Sequence, residues 1–158
     1  MSGADIFAGL KLGYYRAILV DPPWHFRTWS AKGSGRSAIS HYDTMSFDEL
    51  AALPVAELAA SDCALFLWAY APLLHRAFEL ISAWGFTYKS IAFTWAKTTK
   101  PRQGWAFGCG YYTRANSEIA LLGTRGRPKV LSHSVPGLIV APRREHSRKP
   151  DETRERIE

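Results

Sequence analysis

Apolar residues in this chain fall into short continuous blocks bounded by turn-forming residues. Tyr15 to Val20 (YRAILV) is a run of strand formers that stops at Asp21 and two prolines. It predicts a buried strand with an acidic residue at its carboxyl end. Ala64 to Ala69 (ALFLWA) predicts a second buried strand. Leu73, Leu74, Ala77, Phe78, Leu80, Ile81 and Trp84 recur at helical spacing and Gly85 follows as a stop, so this segment predicts a core-facing amphipathic helix. Thr87 to Trp95, Ile119 to Leu122 and Leu138 to Val140 are rich in β-branched and other apolar residues and predict three further strands. Ser46 with Glu49 matches a capping box and opens a short helix through Leu53, after a Gly- and Ser-rich stretch from Ser30 to Ser40 that reads as a mobile loop.

Strands thus alternate with helices. This predicts an α/β fold with a mostly parallel sheet and helices on both faces. In such sheets ligands bind at the carboxyl ends of the strands, near which Asp21, Trp68 and Trp95 all fall. The 158 residues amount to one domain, and neither a repeat nor a linker divides them.

Composition narrows the class. With 47% apolar and 22% charged residues the chain can bury a sizeable core, which excludes a disordered protein. The apolar runs fall far short of the ~20 residues that span a bilayer, so neither a membrane nor a secretory reading is retained. A formal net charge of +6 suits an anionic partner such as nucleic acid. Cys63 and Cys109 lack CxxC spacing and a histidine cluster, so neither a disulfide framework nor a metal site is expected, and a reducing, cytoplasmic setting fits.

The most specific chemistry lies in Asp21, Pro22, Pro23 and Trp24. Two consecutive prolines fix φ and remove two backbone donors, which predicts a rigid turn whose carbonyl oxygens face outward without competing amides. Asp21 adds a carboxylate, and Trp24 adds a flat face on which a base can stack for about 1 to 3 kcal/mol. Acceptors beside a stacking ring suit an aromatic amine. A basic cluster of Arg143, Arg144, His146, Arg148 and Lys149 follows the last predicted strand and suits a phosphate backbone.

DPPW after a strand resembles the catalytic motif of amino-methyltransferases that use S-adenosylmethionine. The agreement extends to His41–Met45 (HYDTM), Leu65–Trp68 (LFLW), Thr94–Lys97 (TWAK) and the HSRKPDE block ending at Glu152, in the order seen in one branch. That branch is the DPPW-type, MT-A70-like adenine-N(6) methyltransferase family. It includes the catalytic subunit of the eukaryotic mRNA adenosine methyltransferase and bacterial and phage DNA adenine methyltransferases. The resemblance runs from about Asp5 to Glu158 and implies a permuted Rossmann-like methyltransferase.

The resemblance also implies roles. Asp21 and the Pro22 carbonyl would accept both N–H bonds of the adenine amine, localising its lone pair for attack on the sulfonium methyl group. Asp5 and Ile6 resemble the pair that holds the cofactor adenine, with Asp21, Asn116 and Glu118 completing the cofactor side. Tyr42 resembles the aromatic residue of a closing loop, given freedom by Gly33, Ser34 and Gly35. Trp24, Tyr42, Trp95, Lys97, Arg144, His146 and Lys149 would meet the substrate. Trp68, Phe78 and Trp84 read instead as core packing.

The implied activity is methyl transfer to the adenine amine in nucleic acid, DNA ahead of RNA because no RNA-binding module accompanies the domain. Two alternatives are a catalytically silent nucleic-acid-binding subunit, since such families pair active and inactive members in homo- or heterodimers, and a cytosine-N(4) DNA methyltransferase, which more often carries Ser before the prolines. Against the family pattern, the C-terminal strand and the Gly-Asn segment that binds the cofactor's ribose and methionine ends are missing from this chain. Weak cofactor binding by the 158 residues is expected for that reason.

Overall fold

The structure, a computed structural model, describes residues 6–25, 44–100, 104–108, 112–145 and 147–158. The Gly- and Ser-rich stretch, Asp5, Tyr42, Cys109 and His146 lie outside them.

Five strands form one sheet: β1 (Tyr15–Val20), β2 (Ala59–Ala69), β3 (Thr87–Thr98), β4 (Ser117–Arg125) and β5 (Leu138–Pro142). Their spatial order is β1-β2-β4-β3-β5. β1 with β2 and β3 with β5 are parallel, while β4 runs antiparallel to both β2 and β3. Four strands therefore point one way and the central strand points the other. The expected mostly parallel sheet holds with that exception. An antiparallel neighbour needs no helical crossover, and among the described residues no helix separates β3, β4 and β5, so the expected strict alternation of strands and helices stops at β3.

The helices are α1 (Phe47–Ala51), α2 (Val55–Leu58), α3 (Leu74–Ala83), preceded by a 3-10 turn over Ala71–Leu73, and α4 (Asp151–Ile157). Ser46 caps α1: its hydroxyl accepts the Glu49 N–H, and the Glu49 carboxylate accepts the Ser46 N–H at 2.7 Å. α3 buries Ala77, Leu80 and Ile81, and Gly85 ends it at φ 76°, a conformation that costs glycine little. In β4, Gly123 permits close approach, because a Cβ there would stand 3.1 Å from Ile81 Cγ2 and 3.3 Å from Phe86 Cβ.

Side chains alternate across the sheet, so β2 and β4 feed two cores, one on each face. On one face Leu65, Leu67, Leu121, Leu80, Ile81, Trp84 and Trp24 pack together with α1 and α3. On the other Trp68, Phe93, Trp95, Ala120 and Ile139 pack with Ile157 of α4. The α/β architecture with helices on both faces is thus present.

Three expectations change. β1 is an edge strand none of whose residues is fully buried, since it has a neighbour on one side only. Phe78 lies 37% exposed and packs edge-on against Tyr88 outside the core, because it falls on the outer side of α3. The strands also run past their expected ends, β2 beginning at Ala59 and β3 continuing to Thr98. Among the described residues no helix is long and apolar enough to cross a membrane.

Candidate active site

Register decides what meets at the carboxyl end of the sheet. Trp68 pairs with Ala120, and Trp95 pairs with Glu118. Directly paired residues share a face, and so do residues two apart on one strand. Trp68, Glu118, Trp95 and Lys97 therefore line the face that carries α4. Because β4 runs backwards, its first residues arrive where the other strands end, which brings Glu118 beside Lys97 and the end of β1.

Asp21 leaves β1 toward this same face and Trp24 enters the opposite core, so the two prolines carry the chain across the sheet edge. The segment after β5 turns at Ser147, a non-glycine residue at φ 65°, an uncommon backbone state. Lys149 follows and points inward. Its Nζ lies 2.6 Å from Asp21 Oδ2, 3.3 Å from Glu118 Oε2 and 5.5 Å from the Trp68 ring centroid. Lys97 donates to the other oxygen of Glu118 and lies 5.0 Å from the Trp95 ring centroid. The result is an alternating row of charges: Lys97, Glu118, Lys149, Asp21.

Their environment tunes Asp21, Glu118 and Lys149. Burial raises the Asp21 carboxyl above its ordinary range, and the Lys149 ammonium partly draws it back. The side chain still keeps 39% of its surface, so it is crowded from one side and open on the other. Burial also pushes Glu118 upward, but Lys149 and Lys97 outweigh it and the carboxyl is held below its usual value. Lys149 is pulled down by burial and more strongly up by Glu118 and Asp21, so it stays charged.

Several expected site residues take different parts. The proline carbonyls are not free of amides: Pro22 accepts the Trp24 N–H at 2.8 Å and Pro23 accepts the Met45 N–H at 2.9 Å, because the turn folds back on itself and pairs with the segment before α1. Each oxygen keeps one lone pair for another donor. Trp24 is only 7% exposed and donates its indole N–H to the Trp68 carbonyl at 3.3 Å, so its ring belongs to the core and is not an open stacking platform. Trp95 is 3% exposed with its indole N–H on Ala141 O at 2.9 Å, which likewise removes it as a stacking surface for a base.

Lys149 was expected at a phosphate backbone, but its ammonium is taken up by two carboxylates. Arg144 is paired with Asp151 at the start of α4, where the acidic first turn suits the helix N-terminus. Lys97 faces Glu118, and Asn116 accepts the Lys97 N–H through its backbone at 2.9 Å. Ile6 is 45% exposed. Asp5, Tyr42 and His146 lie outside the described residues. Trp84 is core, as expected, at 1% exposure, while the buried Trp68 also forms the floor under Lys149. Only the parity of β2 could have signalled that last role, since Trp68 stands near the end of a strand on the α4 side.

An acidic turn at the end of an outer strand, facing a polar cluster assembled from the ends of the neighbouring strands, has the architecture of a Rossmann-like methyltransferase domain. The comparison of sequences agrees. The chain belongs to the MT-A70 family, whose model matches residues 15–158. It is 30% identical to the type II methyltransferase M.MunI of Mycoplasma sp, over 92% of this chain and 67% of that protein. It is 32% identical to an Arabidopsis thaliana N(6)-adenosine-methyltransferase MT-A70-like protein, over 89% of this chain and 19% of the relative. A probable N(6)-adenosine-methyltransferase of Oryza sativa is 32% identical over the same share of this chain and 18% of its own length. The chain thus spans two thirds of the Mycoplasma protein and about a fifth of each plant one.

Proposed function

We propose that the chain transfers a methyl group from S-adenosylmethionine to the exocyclic amine of adenine in nucleic acid, with DNA as the first substrate. The observation that carries this reading is Asp21, a half-open carboxylate at the strand end in a proline-braced turn, with Lys149 and Glu118 beside it. The relatives named as N(6)-adenosine methyltransferases and the type II methyltransferase support it from outside.

The donor set fits the cofactor. S-adenosylmethionine brings a sulfonium, an ammonium and a carboxylate, and the site holds two carboxylates and an ammonium within reach of one another. Asp21, Asn116 and Glu118 would hold it, with Ile6 and Asp5 against its adenine. When bound, the cofactor supplies an electrophilic methyl group.

The protein's part is positioning and charge. An aromatic amine is a weak nucleophile because its lone pair is delocalised into the ring. Asp21 accepts one N–H, and the remaining lone pair of Pro22 O accepts the other, which localises the amine lone pair and stabilises the positive charge that develops on nitrogen. Asp21 must be ionised for this. Lys149 favours that ionisation by offsetting part of the effect of burial, and it yields part of its contact to the arriving amine. Fixed orientation of the amine supplies much of the remaining rate.

A second reading, a silent nucleic-acid-binding subunit, is favoured by one feature: the Asp21 acceptor is already occupied by Lys149. Incubation with a saturating concentration of isotope-labelled cofactor and equal amounts of DNA and RNA, followed by nucleoside mass spectrometry, separates the readings. Labelled N(6)-methyladenine, chiefly in DNA, is expected; binding of nucleic acid with no labelled base would establish the silent subunit.

A further inference from the structure

We propose that Lys97 is a positioning residue that acts on Asp21 at second hand, by occupying Glu118 so that Lys149 remains with the Asp21 carboxylate. The proposal rests on the assignment of Asp21 as the acceptor for the amine, and it gives Lys97 a different task from the substrate contact that the sequence suggests.

Geometry makes the case. Glu118 has two oxygens and two cationic neighbours: Lys97 holds Oε1, and Lys149 reaches Oε2 at 3.3 Å. Lys149 makes its shorter contact with Asp21, at 2.6 Å, while its charge interacts with both carboxylates. Among the described residues the charged groups acting on Asp21 are Lys149, from the segment before α4, and Glu118, from β4. Those acting on Glu118 are Lys149 and Lys97. Both cations of the row also rest on an aromatic floor, Lys97 on Trp95 and Lys149 on Trp68, which fixes both ammonium groups on the same face of the sheet.

The consequence follows from charge balance. With Lys97 present, two cations meet two carboxylates. Without it, Glu118 carries an uncompensated charge, draws Lys149 away from Asp21 and adds its own repulsion to the Asp21 anion. Both effects favour protonated Asp21, the form that cannot accept an N–H bond. The two side chains at the ends of the row thus communicate through the two between them.

The test is a titration of the Asp21 side-chain carboxyl by carbon NMR, using chain labelled in aspartate, with the Asp21 signal identified by its loss in Asp21→Asn. Lys97→Met, which keeps the aliphatic stem over Trp95, is expected to move the Asp21 midpoint upward, and Lys97→Arg to restore it. In a Glu118→Gln background the same Lys97→Met change is expected to move it far less, because the intermediary is gone. Where turnover is measurable, the acid limb of its pH profile should shift upward with the midpoint. An Asp21 midpoint unchanged by Lys97→Met, or one that moves equally with and without Glu118, would overturn the proposal and leave Lys97 a structural residue. Because the titration does not depend on turnover, a shifted midpoint in a chain that methylates nothing would refute the proposed activity while sustaining this coupling.

Discussion

Lys149 and Asp21 are 128 positions apart in the chain, yet the lysine Nζ stands 2.6 Å from the Asp21 Oδ2. This contact ties the turn after the first strand to the segment that leads into the last helix, across the end of the whole sheet. It favours the ionised form of the one carboxylate on which the proposed chemistry depends, against a larger effect of burial, and it diverts Lys149 from the nucleic-acid surface that the surrounding arginines suggest.

That diversion has a measurable consequence. Arg143→Ala, at an exposed arginine of the same cluster, should weaken DNA binding at every sequence and flatten the slope of log affinity against log salt by roughly one phosphate contact. Lys149→Met should leave the slope unchanged, since an ammonium held by Asp21 and Glu118 releases no counterion from the DNA. Filter binding over a salt series distinguishes the two. A slope lowered by Lys149→Met would place that lysine on the phosphate backbone.

Stability should carry the signature of the same lysine at high pH. The Lys149 ammonium titrates above its ordinary value of 10.5 in the folded chain, because Glu118 and Asp21 outweigh the cost of burial. A raised folded value means that the group's stabilisation is fully present below the unfolded value and is lost as pH rises through the folded one. The difference in Tm between the natural chain and Lys149→Met should accordingly narrow at the alkaline end of a thermal-unfolding series. A difference that stays constant up to about pH 12, well past the usual lysine range, would mean that Lys149 is not held by charge.

Trp84 supports the floor beneath α1. It is 1% exposed, and its indole N–H donates to Leu50 O at 2.9 Å, joining α3 to α1. Trp84→Ala should cost about 3 to 5 kcal/mol of unfolding free energy by leaving a cavity. Trp84→Phe should cost about 0.5 to 1.5 kcal/mol through the lost indole hydrogen bond, since Leu50 O still accepts the Leu53 N–H at 3.2 Å. Urea denaturation measures both, and a Trp84→Phe cost near zero would show that the hydrogen bond contributes little.

Local signals made the elements legible. The run YRAILV is β1 without change of boundary, the Ser46 and Glu49 pair is a formed capping box, and Gly85 closes α3 where the helical spacing ends. Strand direction was not legible. A strand packed on both faces is a continuous apolar block whichever way it runs, so Ile119 to Leu122 carried no sign that β4 is antiparallel. The reversal is what brings Glu118 to the site.

The chemistry divides the same way. The DPPW letters fall on the turn at the end of β1 and Lys97, Glu118 and Lys149 were each singled out, but the association of the four side chains was hidden because it depends on tertiary pairing across the sheet. Burial was hidden for the same reason: Trp24 and Trp95 have the composition of stacking platforms, and only the packed cores show that their rings are enclosed.

The account depends above all on Asp21 as the acceptor for an adenine amine. Loss of one preorganised acceptor of developing charge costs on the order of a hundredfold or more in turnover. The most direct measurement is nucleoside mass spectrometry of DNA incubated with methyl-labelled S-adenosylmethionine and either the natural chain or Asp21→Asn, with circular dichroism to establish that both are folded. The account predicts labelled N(6)-methyladenine from the natural chain and at least a hundredfold less from the variant. Label on cytosine, or equal adenine methylation by a folded Asp21→Asn chain, would contradict it.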